Sequence, residues 1–154
     1  MRRDSALIPL SHDHHQGLIL AQMMRKNAPV YTSLPNDLDG KVKHALKAYK
    51  EELVPHFENE EKILFPAVNG ISEKLDKLIE VILTEHTLLH EIFNKLEINK
   101  NPDILDRAGE VLEQHIRLEE RELFQLIQEV VPKKILESLE GKIDTVKKDC
   151  DLRS

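Results

Sequence analysis

Residues 56–65 read HFENEEKILF and residues 115–124 read HIRLEERELF, so the pattern His-x-x-x-Glu-Glu-x-x-Leu-Phe occurs twice in the chain. Side chains four residues apart lie on the same face of a helix. Each copy therefore presents an imidazole beside a carboxylate, and the apolar residues of the next turn bury that face. Because buried polar groups must be satisfied, the repeat predicts a ligand between these side chains, and a metal centre is the leading candidate.

Other histidines lie at positions that can join the same centre. His86 and His90 are four residues apart and share a helical face. Near the start of the chain His14 lies closer to the apolar stripe of its helix than His15 does, so we favour His14 and keep His15 as the alternative. The predicted metal ligands are His14 (alternatively His15), His56, Glu60, His86, His90, His115 and Glu119.

Five neutral imidazoles and two carboxylates form a donor set that suits iron, manganese or zinc. A carboxylate on each of two opposite helices can bridge a pair of metal ions. Together with a solvent-derived oxo or hydroxo bridge, these ligands fill all but one coordination position of two octahedral ions. An open position in an apolar pocket predicts that a small diatomic molecule binds there.

Two common metal motifs are excluded by the residues. The Glu-x-x-His pattern of ferritin-like di-iron bundles is absent, since no histidine has a glutamate three residues before it. The His-Glu-x-x-His pattern of zinc peptidases is absent as well, since His90-Glu91 is followed by Ile-Phe-Asn.

The ordered ligand set resembles the hemerythrin family, in its bacterial hemerythrin-like (HHE cation-binding) branch. The resemblance covers about residues 7–128 and includes the runs Leu10-Ser-His-Asp-His-His and Glu60-Glu-Lys-Ile-Leu-Phe-Pro. It implies two iron ions with an oxo or hydroxo bridge and binding of O₂ or a related molecule, NO or peroxide. The pattern of this branch favours Glu119 over Glu120 as the last bridging carboxylate.

The composition and the apolar periodicity predict an all-α fold, an up-down-up-down four-helix bundle with a short C-terminal extra helix. We expect one domain over residues 1–154, with its core at about 7–130. The predicted helices begin at Ser11, near Gly40, after an N-cap at Ser72 and after an N-cap at Asn101. Pro55 predicts a kink or local break in the second helix. The extra helix is expected at about 133–147.

Some polar residues are expected outside the ligand set. Glu61 and Glu120 are predicted to face solvent, because they lie one helical step beyond the ligand glutamates. Imidazoles that bind metals need an outer hydrogen-bond partner, and we name Glu85, Glu113 and Tyr49 as candidates. His12 and His44 are predicted to lie at the surface or the boundary of the core.

The charge of the chain bears on its partners. The net charge of −6 and the lack of a basic patch argue against nucleic acid, and no segment is apolar enough to span a membrane. The single cysteine suits a reducing compartment, so we expect the cytoplasm. A small molecule is the expected partner, and no protein partner can be named.

Three functions remain open from the sequence. The protein can bind O₂ or a related molecule reversibly, for sensing, storage or stress response. It can be an enzyme that turns over peroxide or NO. It can also be an iron- or zinc-handling bundle without redox turnover.

Overall fold

The computed structural model describes residues 2–143, and within this range the chain forms helices and no strands. This confirms the predicted all-α class. Two of the long helices change locally from α to π winding. The helices are α1 (Ile8–Met24), α2 (38–68), α3 (Glu73–Ile98), α4 (102–130) and the short α5 (Lys133–Leu139). The π turns are Tyr49–Leu53 and Glu60–Leu64 in α2 and Glu119–Leu123 in α4.

Two of the predicted helix starts are confirmed by their caps. The Ser72 hydroxyl accepts a hydrogen bond from the Leu75 N–H at 3.3 Å, and the Asn101 side chain accepts one from the Asp103 N–H at 2.7 Å. Such caps stabilise a helix by about 1 kcal/mol each. They fix where α3 and α4 enter the fold and therefore the register of their histidines.

The predicted start of α1 at Ser11 is wrong. The helix begins at Ile8, and the Ser11 N–H already bonds to the Leu7 carbonyl at 3.1 Å. Proline is tolerated in a first helical turn because the N–H it lacks has no partner there, which lets α1 include Pro9. The Ser11 side chain instead donates to Glu120 on α4 at 2.8 Å.

Pro55 does not interrupt α2. The π turn Tyr49–Leu53 ends two residues before it, with the Val54 N–H bonded to the Tyr49 carbonyl five residues back. A π turn is a wider turn within a continuous helix, and it accommodates a residue that cannot donate to the α-helical ladder. The predicted local break is therefore a change of winding, and the helix continues to Val68.

The apolar core consists of two clusters with the polar ligand candidates between them. On α3, Ile82 belongs to one cluster and Leu89 to the other, and His86 lies between the two. On α4, Ile116 and Leu123 bracket the second ligand glutamate in the same way. The candidate centre is thus a polar layer across the middle of the helices.

A glycine lets α1 approach α4 closely. A Cβ atom on Gly109 would lie 2.5 Å from the carbonyl oxygen of Ala21, which is backbone and cannot rotate away. Helix α1 also contacts α2, and α3 contacts both α2 and α4. The close crossing brings the inward-facing histidine of α1 against the glutamate of α4.

The helix that follows α4 is shorter than predicted. Helix α5 ends at Leu139, and Gly141 follows with φ +81°, a conformation that favours glycine. The predicted extension over residues 144–147 lies outside the described residues. Within residues 2–143, no helix combines the length and the apolar character needed to cross a bilayer.

Candidate metal centre

Within residues 2–143, six polar or ionisable side chains are buried inside the bundle. Each is at most 4% exposed, and the two glutamates are fully buried. Burying ionisable groups is costly unless they are paired or bind a metal. These residues are His14, His56, Glu60, His86, His115 and Glu119.

The helices supply these residues in two ways. Helices α2 and α4 each give a histidine and the glutamate four residues later, as the doubled sequence pattern predicts. Helices α1 and α3 each give one further buried histidine, His14 and His86. Of the two first-helix alternatives, His14 points inward and His15 is exposed.

The six residues form two groups of four that share both glutamates. In each group, one ligand atom from every residue lies within 4.8 Å of the others. One group contains His14 and His56, and the other contains His86 and His115. Two overlapping groups of this size are what a pair of metal ions with two shared carboxylates requires.

Each shared carboxylate offers one oxygen to each histidine pair. Glu119 Oε1 lies 2.7 Å from His14 Nε2, whereas its Oε2 lies 3.5 Å from His115 Nε2. Glu60 Oε2 lies 3.7 Å from His56 Nε2, whereas its Oε1 lies 3.0 Å from His86 Nε2. Both carboxylates are therefore oriented as bridges between two positions.

The inward-facing atoms are unsatisfied within residues 2–143. The four Nε2 atoms and the four carboxylate oxygens are buried and make no hydrogen bond of ordinary geometry, although several approach one another closely. An unsatisfied buried polar atom costs about 1–3 kcal/mol. Eight such atoms pointing at one small volume fit a site that is completed by metal ions.

The outward-facing nitrogen of each of these four rings has a carboxylate partner. His14 Nδ1 lies 2.6 Å from Glu120, and His86 Nδ1 lies 2.6 Å from Glu61. The other two pairs are His56 with Asp13 at 2.9 Å and His115 with Glu85 at 2.7 Å. Such contacts fix ring orientation and direct Nε2 inward.

The expectation that Glu61 and Glu120 face solvent holds only in part, because Glu61 is exposed but both glutamates contact buried histidines. Each directly follows a ligand glutamate at the start of a π turn. A π turn rotates somewhat less per residue than an α turn, because its hydrogen bonds span five residues, so the second glutamate is turned less far from the first. Their side chains are 39% and 28% exposed and contact histidines of neighbouring helices.

The other predicted outer partners have mixed outcomes. Glu85 contacts His115, as predicted, whereas Glu113 pairs with Arg117 on its own helix at 3.2 Å. Asp13 was not predicted as a partner. Its position directly before His14 gives no sign that it contacts a histidine of another helix.

His90 belongs to neither group of four. It is half-buried, and its Nδ1 contacts the hydroxyl of Tyr49, as predicted for an outer partner. Its ring lies 5.6 Å from that of Phe57, beside the centre. Its role as a metal ligand stays a prediction. His12 is exposed and His44 is half-buried.

The charges of the buried groups are unevenly distributed without metal. Burial lowers the pKa of His14, but Glu119 and Glu120 outweigh it and raise this pKa to about 9. Burial and, after it, the neighbouring His115 ring lower the pKa of His86 to about 3. At neutral pH in the metal-free site, His14 is therefore protonated and His86 is neutral.

The pKa values of the two buried carboxylates are also shifted in opposite directions. Burial and the neighbouring Glu119 carboxylate raise the pKa of Glu60 well above its ordinary value. Burial also acts to raise the pKa of Glu119, but His115 and His14 lower it well below the ordinary value. Like charges this close cannot both be ionised easily, so the proton resides on Glu60.

A cavity of about 20 Å³ adjoins the His14–His56 side of the centre. Gly17, Leu53 and Phe57 are among the residues that line it, together with His14 and His56. A cavity needs about 10–15 Å³ to hold a water molecule. This space is therefore large enough for a molecule of about the size of water.

The fold and the site define a class of protein: an all-helical domain with a buried layer of histidines and shared carboxylates that can hold metal ions. Comparison with family models gives a match to the Hemerythrin HHE cation binding domain over residues 6–127. The chain belongs to this family. Comparisons with curated proteins and with solved structures give no significant match.

Proposed function

We propose that the chain holds two iron ions in this centre and binds O₂ or a related small molecule, NO or peroxide, beside them. The observation that supports the proposal best is that Glu60 and Glu119 each turn one oxygen toward each histidine pair. One ion would be held by His14 and His56 and the other by His86 and His115, with both carboxylates shared.

We retain His90 as a further proposed ligand. Its Nδ1 contacts an outer partner, Tyr49, as the Nδ1 of each of the other four rings contacts a carboxylate. This arrangement leaves Nε2 as the nitrogen for metal. Five imidazoles and two bridging carboxylates leave a position open, which favours a reactive centre over a closed structural one.

The cavity supports a diatomic ligand. Its volume of about 20 Å³ is large enough for O₂ or NO, and Leu53, Phe57 and Leu112 form an apolar part of its lining. Bound ferrous iron would supply the electrons and the open coordination position that these molecules need. The carboxylates behind the histidines keep the rings fixed while the ligand enters and leaves.

The predicted topology fits the same proposal. We infer an up-down-up-down bundle of α1 to α4, because the connections 69–72 and 99–101 are short and because neighbouring helices contact each other. In such a bundle all four helices reach one central layer. The cytoplasmic location stays a prediction from the sequence.

The test is to purify the protein anaerobically, load it with ferrous iron, measure iron per chain and then add O₂ while recording the visible spectrum. We expect about two irons per chain, as for other dinuclear carboxylate sites. A visible band that vanishes when O₂ is removed supports reversible binding. Rapid conversion to a stable oxidised form favours the enzymatic alternative, turnover of peroxide or NO.

Iron itself is tested by the same preparation. Imidazole and carboxylate ligands also accept zinc and manganese, so metal analysis of the protein as isolated is needed. About one ion per chain or fewer after loading would refute the dinuclear proposal. A full complement of zinc with no response to O₂ would favour a metal-handling bundle.

A further inference from the structure

The segment before α1 is fastened to α4. The Gln128 side chain accepts hydrogen bonds from the Asp4 N–H at 3.0 Å and from Arg3 Nη1 at 3.3 Å. Its amide nitrogen donates to the Arg2 carbonyl at 2.8 Å. These three contacts hold the Arg3 side chain above the end of α4 that carries the second copy of the doubled motif.

Arg3 reaches the partner of a predicted metal ligand. Its Nη2 donates to Glu120 Oε1 at 3.0 Å and to the Glu120 carbonyl at 3.1 Å. The other carboxylate oxygen of Glu120 lies 2.6 Å from His14 Nδ1 and accepts from Ser11 at 2.8 Å. The carboxylate is therefore held between a guanidinium on one side and the imidazole on the other.

Arg3 also acts on His14 by a second route. Its guanidinium lies 5.3 Å from the ring centre of Phe124. The Phe124 ring stacks on His14, with 5.4 Å between ring centres and 13° between ring planes. The outer edge and one face of the His14 ring are thus both set by groups that Arg3 contacts.

We propose that Arg3 is a positioning residue for His14, acting through Glu120 and Phe124. The inference rests on the proposed function, because the orientation of His14 matters most if its Nε2 binds metal. A partly exposed glutamate would otherwise exchange between rotamers, and charge-assisted contacts to both its carboxylate and its carbonyl select one. Arg3 thereby couples the start of the chain to one of the two metal positions.

The first test compares the rate at which a coloured ferrous chelator removes iron from anaerobically loaded full-length variants. Arg3→Gln should release iron about threefold to tenfold faster than the parent, at or below the range for losing a direct outer partner of a ligand. Arg121→Gln is the matched control, because Arg121 is adjacent to Glu120 in sequence but exposed. Its rate should stay within about twofold of the parent, as expected for a solvated charge.

A double-mutant cycle tests the route. Glu120→Gln should accelerate release at least as much as Arg3→Gln, and the double variant should differ little from Glu120→Gln alone. Arg3→Lys keeps the charge but cannot reproduce the forked contact, so it should fall between Arg3→Gln and the parent. Equal rates for Arg3→Gln and Arg121→Gln, or independent multiplication of the two effects, would overturn the proposal.

A second measurement needs no metal and guards against loss of folding. In the metal-free protein with ¹⁵N-labelled histidine, Arg3→Gln should shift the ring signals of His14 and leave those of His86 and His115 in place. Unchanged His14 signals, or shifts of all the buried rings, would refute a specific positioning role. If the parent fails to retain iron, the proposed function fails, while this measurement still decides whether Arg3 positions His14.

Discussion

Replacing Glu60 by glutamine is expected to change the stability of the metal-free and iron-loaded protein in opposite directions. Glu60 is fully buried, neither of its oxygens has a hydrogen bond within residues 2–143, and burial and Glu119 raise its pKa. Glutamine has nearly the same shape and no charge. The substitution therefore removes an electrostatic cost when metal is absent and removes a bridging ligand when metal is bound.

The size of the gain in the metal-free protein has an upper limit. A buried carboxylate that is too costly to keep ionised takes up a proton, and for an ordinary pKa of 4.5 this costs about 3 kcal/mol at pH 7. We expect Glu60→Gln to raise the free energy of unfolding of the metal-free protein by about 1–3 kcal/mol at pH 7.

The pH dependence of this gain has a definite sign. The pKa of Glu60 is higher in the folded state than in the unfolded state, so the folded state holds more protons above pH 4.5. The stability contributed by Glu60 is therefore lost as pH rises. The advantage of glutamine should be small near pH 4.5 and should grow toward pH 7.

The loaded protein should respond in the opposite sense. An ion that binds only the folded state stabilises it in proportion to the logarithm of its affinity. A tenfold weaker affinity at both positions would remove about 1.4 kcal/mol of stabilisation per ion. The parent should thus gain stability on loading, and Glu60→Gln should lose most of that gain.

The assay is urea unfolding under anaerobic conditions, with and without ferrous iron, at several pH values. Glu58→Gln is the control, because Glu58 lies on the same helix, is exposed and pairs with Lys62. It should leave both states within about 0.5 kcal/mol of the parent. If Glu60→Gln destabilises the metal-free protein, Glu60 has a structural role that outweighs its electrostatic cost, and the reasoning is refuted.

Three further predictions concern the same centre. Because the pKa of His14 is about 9 without metal, iron binding at pH 7.5 should release a proton from it in addition to the proton held by Glu60. Calorimetry in buffers of different ionisation enthalpy should detect this release, and a release smaller by about one proton in His14→Gln should identify His14 as a source. Glu85→Gln should weaken iron binding about 10–100-fold, because its imidazole partner loses its orientation, whereas Glu113→Gln should not; equal chelator competition by the two would contradict the assigned partners. Gly109→Ala should destabilise the protein by about 1–3 kcal/mol, because its Cβ would lie 2.5 Å from a backbone oxygen. If the variant has the same melting temperature as the parent, the helices do not cross so closely.

The residues of the centre could be predicted from sequence where local spacing decides their position. An interval of four residues on a helix needs no knowledge of the fold, which is why His56 with Glu60 and His115 with Glu119 lie together as expected. The caps at Ser72 and Asn101 were also predictable, because a cap is an interaction within a few residues.

The outer partners depend on winding and packing, which local patterns do not encode. Glu61 and Glu120 were expected to face solvent from α-helical spacing alone, but both lie in π turns and contact histidines of neighbouring helices. The sequence does contain a signal, since both copies of the motif have a second glutamate. Asp13 reaches His56 across the bundle, and its position beside a ligand in sequence does not predict that contact.

Gly17, which has no side chain, lines the cavity beside the centre. An added Cβ would lie 2.8 Å from Ile116 Cδ1, the flexible end of a side chain, so alanine would require that methyl group to shift beside the space where a small molecule is proposed to bind. If the proposed function holds, a larger side chain at this position should affect the binding of a small molecule and leave all the proposed metal ligands intact. The residue at position 17 offers a simple criterion for sorting relatives that share the ligand set into open and closed centres.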